Sequence, residues 1–194
     1  MYFISRTLST VSTYLIVIVL GVSAFSLAGV FAIADQIYKA IKLSVSPMVQ
    51  VIIPYCIRTK NRKPLLILTT GILFIGLILY SYIDLVLLDF VSLIWGSLPE
   101  GGKNIVFIYA YAGILSMINA LLGFPWFAII GFYDKANSSL IWATLVSLIL
   151  LAYAFYFDLS FLAYIVFASE FALLIFRLLH LGWLRYKIRI SSKL

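Results

Sequence analysis

Charged side chains are scarce in this sequence of 194 residues. Asp, Glu, Lys and Arg together make up 11% of it, whereas hydrophobic residues make up 64%. The mean hydropathy is +1.14. A soluble domain needs more charged residues than this to cover its surface. We therefore predict an integral membrane protein.

Reactive side chains are equally few. The sequence has one histidine, His180, and one cysteine, Cys56, which excludes a multi-histidine metal site and an internal disulfide. It also lacks the Gly-x-Ser-x-Gly, His-Glu-x-x-His and glycine-rich phosphate-binding motifs of common enzymes. We expect no enzyme activity, no cofactor and no metal ion.

The formal net charge of +7 raises the question of a nucleic-acid partner. The basic residues form short clusters beside apolar segments, mainly at 58–63 and 185–193. This is the pattern of cytoplasmic segments in membrane proteins. We therefore predict membrane lipids as the surroundings, no nucleic-acid partner, and both termini on the cytoplasmic side.

Long apolar runs predict the fold class, an all-α integral membrane bundle of six transmembrane helices in a single domain, residues 1–194. Pro47, Pro54 and Pro125 predict bends inside the second and fourth spans. The mixture of acidic residues, Gly and Pro from Asp84 to Asn104 predicts a loop after an amphipathic extension. The predicted spans are residues 4–22, 29–55, 65–83, 105–130, 138–157 and 159–183.

Three charged residues, Asp35, Lys39 and Lys42, lie inside the predicted second span. Spacings of four and seven residues place them on one face of a helix. A charge at the centre of a membrane costs roughly 2.5–3.5 kcal/mol on insertion scales, so this face is expected to line a wet cavity or meet a partner. The alternative is an Asp35–Lys39 pair that neutralises itself, with Lys42 reaching towards the membrane surface.

Two segments resemble a known transporter family. ISRTLSTVSTYLIVIVLG followed by AGVFAIADQIYKAIKLSVSPMVQVIIPYCIR is similar to the seventh and eighth spans of Wzx-type O-antigen flippases, and Asn119 to Trp142 resembles their tenth-to-eleventh span region. These flippases belong to the multidrug, oligosaccharidyl-lipid and polysaccharide exporter superfamily. The family has two six-helix lobes, of which this chain resembles the C-terminal one. The shared features are Ser5-Arg6, Leu20-Gly21, Gly29, Phe31, Ala34-x-x-Ile37, Pro54-Tyr55, and the Leu-Gly-x-Pro and Gly…Lys-x-x-Asn elements further on.

The resemblance implies a function. It implies translocation of a polyprenyl-pyrophosphate-linked oligosaccharide across the bacterial inner membrane by alternating access, for O-antigen or capsular polysaccharide synthesis. The implied partners are this lipid-linked oligosaccharide, the polysaccharide polymerase machinery, and a second six-helix half or a second copy of the chain. Fixed cations in a cavity would offset the hydration that the pyrophosphate loses there.

Site residues follow from the charged positions and from this implied substrate. We predict that Lys39, Lys42, Asp35, Arg6 and Tyr38 bind the substrate, with Tyr38 stacking on a sugar, and that Glu170 and Arg177 take part in ion coupling. Several of these residues also have a purely structural explanation. Arg6 fits a topology determinant near the cytoplasmic boundary. Glu170 fits a partner that holds Lys39 or Lys42 across the lobe, and Glu170 with Arg177 fits a charge pair that fixes helix packing.

Two other functions remain open at this point. The first is a drug or cation antiporter of the same superfamily, because a fold does not determine a substrate. Antiporters for organic cations favour acidic cavities, whereas the predicted second span has one more lysine than acid. The second is a non-transporting membrane scaffold for polysaccharide assembly.

Overall fold

A computed structural model of the chain describes residues 25–59, 61–96, 101–157 and 161–191. Within these ranges it contains seven helices and no strand, which confirms the all-α prediction. The first predicted span, residues 4–22, and with it Arg6, lies outside the described residues. The helices are α1 (Phe25–Ser44), α2 (Ser46–Thr59), α3 (Lys63–Trp95), α4 (Gly102–Leu122), α5 (Phe124–Ile130), α6 (Tyr133–Phe157) and α7 (Leu162–Ser191).

Five helical segments in the described ranges are long and apolar enough to cross a membrane. Two of them consist of two helices in succession, α1 with α2 and α4 with α5. The number and length of these segments indicate a multi-pass membrane protein. The segments are Ala28–Thr59, Lys63–Leu87, Gly102–Ile130, Asp134–Tyr156 and Leu162–Leu184.

The predicted second span is not one continuous helix. Helix α1 ends at Ser44, Val45 forms a turn, and α2 begins at Ser46. Pro47 is therefore the second residue of α2, where a missing backbone N–H breaks no helical hydrogen bond. Pro54 stays inside α2. The sequence predicted a bend at this place, and the structure has a break.

The predicted fourth span is divided in the same way. Helix α4 ends at Leu122, Gly123 forms a turn, and Pro125 is the second residue of the short helix α5. The two breaks are neighbours, because Val45 packs in one buried cluster with Met117 and Leu121 from the last turns of α4. Two spans are thus interrupted side by side.

Helix α3 extends well beyond the predicted third span and continues to Trp95. Ile83, Leu87 and Val91 recur every four residues and are all buried in the main core. Asp84 lies on the exposed side, where its Oδ1 accepts a hydrogen bond from the hydroxyl of Tyr111 at 2.7 Å. Asp84 and Asp89 contributed to the prediction of a loop, but they lie on the exposed side of a helix whose buried side is apolar.

Helix α4 is the centre of the bundle and packs against α1, α3 and α7. Small residues on α4 let α1 come close: a Cβ atom on Gly113 would lie only 3.1–3.3 Å from side-chain atoms of Ile41. Small residues allow such close packing of membrane helices. This packing places the charged face of α1 beside α4 and α7.

Candidate functional site

Glu170 on α7 is the centre of a polar cluster between α1, α4 and α7. Only 7% of this residue is exposed. The hydroxyl of Tyr38 donates a hydrogen bond to Glu170 Oε1 at 2.5 Å, and Asn119 Nδ2 donates to Oε2 at 2.8 Å. Burial of a carboxylate is costly unless its oxygens have partners. Both oxygens of Glu170 have one, from two different helices.

Lys42 closes the exposed side of this cluster. Its Nζ donates to the hydroxyl of Tyr38 at 3.0 Å and lies 3.8 Å from Glu170 Oε1. It also lies 5.1 Å from the centre of the Tyr38 ring, within the range of a cation–π contact. The side chain is nevertheless 48% exposed. Lys42 therefore reaches towards α7 and remains accessible.

Asn119 and Arg177 connect the cluster to the break between α4 and α5. Asn119 Nδ2 also donates to the backbone oxygen of Glu170 at 2.8 Å, and Arg177 Nη1 donates to the backbone oxygen of Asn119. The same backbone oxygen accepts from the backbone N–H of Gly123 at 3.0 Å, so the guanidinium is a second donor to a carbonyl in the last turn of α4. Gly123 makes room for it: a Cβ atom there would lie 2.6–2.9 Å from the guanidinium atoms.

Two polar atoms at this place lack a hydrogen-bond partner among the described residues. They are Oδ1 of Asn119 and Nε of Arg177, both buried. Glu170 and Arg177 also do not pair directly, since the ion pairs within 4.0 Å in the described ranges are Asp35–Lys39 and Lys42–Glu170. The described structure therefore has no direct ion pair between Glu170 and Arg177, and the Arg177 guanidinium binds the backbone oxygen of Asn119 at the end of α4.

Asp35 and Lys39 form a separate pair on α1. Lys39 Nζ lies 2.5 Å from Asp35 Oδ2, and its side chain is 58% exposed. The two residues are four apart and neutralise each other on their own helix. Of the lysines predicted to bind substrate, Lys42 is the one that the described structure brings into the cluster.

The comparisons with known proteins add no relative. No protein-family model, no curated protein and no solved structure matches the chain. The site is therefore interpreted from its own residues.

Four of the predicted site residues come together in this cluster: Tyr38, Lys42, Glu170 and Arg177. Sequence reasoning missed Asn119, which is only 2% exposed and links α4 to α7. The available signal was an amide side chain inside an apolar helix, where an unsatisfied polar group is costly. The sequence alone gives no partner for it.

The cluster combines a net positive charge with a position beside the two helix breaks. Lys42 and Arg177 carry two positive charges against one negative charge on Glu170, which leaves a net positive charge. Lys42 lies three residues before the turn at Val45, and Asn119 lies four residues before Gly123. Interrupted helices whose ends meet polar groups are typical of the substrate and ion sites of membrane transporters.

His180 is not part of this cluster. Its Nδ1 lies 2.7 Å from the hydroxyl oxygen of Ser139, which itself donates to the backbone oxygen of Lys135 at 2.9 Å. These contacts join α6 to α7. Among the described residues, no group of three or more His, Cys, Asp or Glu side chains is placed to hold a metal ion.

Proposed function

We propose that the chain forms the C-terminal half of a flippase for polyprenyl-pyrophosphate-linked oligosaccharides. The observation that carries the proposal is the net positive cluster of Lys42, Glu170 and Arg177 beside two interrupted membrane-length helices. A pyrophosphate head that enters a low-dielectric region loses hydration, and fixed cations offset this loss. The lipid tail needs no such site because it can remain in the bilayer.

Lys42 is proposed to make the main contact with the pyrophosphate. It is the cation of the cluster that remains 48% exposed, whereas the guanidinium of Arg177 is occupied by the end of α4. Tyr38 holds the Lys42 ammonium group near Glu170 and offers an aromatic ring to a neighbouring sugar. Lys39 and Asp35 would contribute less, because each already has a partner in the other.

The cellular setting is part of the same proposal. The protein would lie in a bacterial inner membrane with both termini in the cytoplasm, where its basic clusters would be retained. It would act by alternating access together with a second six-helix half or a second copy, and would deliver its substrate to a polysaccharide polymerase. No covalent chemistry is required of its side chains.

Export of organic cations is the competing function, and Glu170 is the observation in its favour. A buried carboxylate can bind a proton or a cation during transport. In this structure, however, both carboxylate oxygens are occupied by donors and Lys42 lies 3.8 Å away. A cationic drug would have to displace or repel a lysine, so an anionic head group fits the cluster better.

Reconstitution tests the proposed function. The purified protein, together with its second six-helix half where that half is a separate chain, is placed in liposomes with a polyprenyl-pyrophosphate-linked oligosaccharide. A glycan-cleaving enzyme added outside reports the exposed fraction of the oligosaccharide over time. We expect faster exposure than in empty liposomes, and a loss of most of this increase in Lys42→Ala. Lys103→Ala, which changes an exposed lysine at the start of α4, should behave as the wild type. Equal rates for Lys42→Ala and wild type would contradict the proposal.

A further inference from the structure

We infer that Glu170 competes with the substrate for Lys42. In the empty protein its carboxylate forms an ion pair with the Lys42 ammonium group, and a phosphate group must displace the lysine from this pair. This inference rests on the proposed function, because it names how an anionic head group gains access to the site. It assigns to Glu170 a role in substrate affinity that differs from ion coupling.

Within the Lys42–Glu170 pair, Glu170 is fixed in place by more contacts than Lys42 is. The Glu170 carboxylate is buried and receives hydrogen bonds from Tyr38 and Asn119, while its backbone oxygen is also bound by Asn119. Lys42 lies at 3.8 Å from the carboxylate, beyond hydrogen-bond distance, is half exposed, and is held by one hydrogen bond to the Tyr38 hydroxyl at 3.0 Å. An approaching anion would therefore move the lysine and leave the glutamate in place.

The loss of Lys42 would leave Glu170 with its neutral donors. Tyr38 and Asn119 each continue to supply a hydrogen bond, so the carboxylate remains partly satisfied when the lysine turns away. The affinity for the phosphate group is then set by the difference between two ion pairs, one lost and one gained. Such a site binds its substrate weakly enough to release it after translocation.

Removal of the competing charge should strengthen binding. Glu170→Gln keeps the size of the side chain and an oxygen that accepts from Tyr38, and it removes the negative charge near Lys42. We expect a dissociation constant for a polyprenyl pyrophosphate that is lower by about tenfold, because opposite charges at about 4 Å attract appreciably even near a protein surface. The measurement is binding of a fluorescent polyprenyl pyrophosphate to the full chain in lipid nanodiscs, with the uncharged polyprenol as the matched probe.

A control variant distinguishes competition for Lys42 from a general electrostatic effect of removing a negative charge. Asp35→Asn removes a negative charge on α1, which is paired with Lys39 and is not bound to Lys42. It should tighten binding clearly less than Glu170→Gln does. Glu170→Met, a second variant without the charge, fills a similar volume but leaves the donors of Tyr38 and Asn119 without their acceptor, so its binding is compared at an equal folded fraction of protein. It should tighten binding as well.

The possible results distinguish the two proposals. If the wild type binds the pyrophosphate and Lys42→Ala does not, but neither Glu170 variant binds more tightly, then the competition is refuted and the proposed function stands. An equal gain for Asp35→Asn also refutes it. If the wild type binds polyprenol as well as it binds the pyrophosphate, or Lys42→Ala binds as well as the wild type, the proposed function itself fails.

Discussion

At the scale of single residues, Asn119 is the uncharged group that connects Glu170 to Arg177. Its amide nitrogen donates to the side chain and to the backbone of Glu170, and its own backbone oxygen accepts from Arg177. It joins α4 to α7 at a point where both helices are otherwise apolar. The ordered position of Glu170 depends on it.

Loss of this amide should destabilise the protein. Asn119→Leu leaves Glu170 Oε2 buried without its donor, and an unsatisfied buried polar group costs about 1–3 kcal/mol. We expect the free energy of unfolding in detergent to fall by about that amount. Asn104→Leu changes an exposed asparagine in the first turn of α4 and should have little effect. Equal stability of Asn119→Leu and wild type would show that Glu170 does not need this donor.

The two lysines of α1 should differ in their effect on transport. The sequence predicted substrate binding for Lys39 and Lys42 alike, but the structure pairs Lys39 with Asp35 on an exposed surface. Exposed ion pairs contribute about 0–1 kcal/mol. The Asp35→Ala/Lys39→Ala double variant should therefore retain most of the translocation rate in liposomes, while Lys42→Ala loses most of it. If the double variant is as slow as Lys42→Ala, then Lys39 or Asp35 also contributes to substrate binding.

The sequence could predict the members of the cluster better than their contacts. Charges inside apolar helices are costly, and this rule alone selects Lys42, Glu170 and Arg177. The same rule gives no distances between helices, so the binding of Arg177 to the end of α4 was not predicted. Asn119 carries no charge and was missed for that reason.

At the scale of helices, the breaks at Val45 and Gly123 were predicted as bends. Each break lies two residues before a proline, because proline is tolerated in the first turn of a new helix. A proline in the sequence therefore does not distinguish a bend inside one helix from the start of a new helix. The end of α3 was misjudged for another reason: Asp84 and Asp89 lie on the exposed face of a helix whose buried face remains apolar.

The contact between Gly123 and Arg177 should be measurable as a coupling between two positions. Gly123→Ala places a methyl group 2.6–2.9 Å from guanidinium atoms and must displace the guanidinium from Asn119. We expect a loss of stability for Gly123→Ala and for Arg177→Met. The double variant should be little worse than Arg177→Met alone, because the methyl group then meets no guanidinium.

A matched glycine provides the control for this cycle. Gly71 lies inside α3, and a Cβ atom there would meet no atom within 4 Å. Gly71→Ala should be neutral or stabilising by up to about 1 kcal/mol, since alanine favours a helix over glycine. Strictly additive effects of Gly123→Ala and Arg177→Met in denaturant unfolding would show that the two residues act independently.

At the scale of the whole molecule, the bundle has an apolar core that includes one polar cluster, and much of its outer surface is apolar as well. The central helix α4 is the most buried of the candidate spans, whereas α3 leaves long apolar side chains exposed along much of its length. This distribution is expected of a protein whose outer surface meets lipid. It also means that the cluster around Glu170 is reached from the exposed side of Lys42.

The orientation of the bundle in the membrane can be tested directly. The basic cluster after α2 predicts a cytoplasmic position for residue 60, and one span later Gly101, just before α4, should lie on the opposite side. Fusion of alkaline phosphatase after Gly101 should give high activity, because this enzyme is active only outside the cytoplasm, and fusion after Lys60 should give low activity. A fluorescent protein that folds only in the cytoplasm should give the opposite pattern at the same two positions. Activity on the same side at both positions would mean that α3 does not cross the membrane, and the predicted six-span topology would then be wrong.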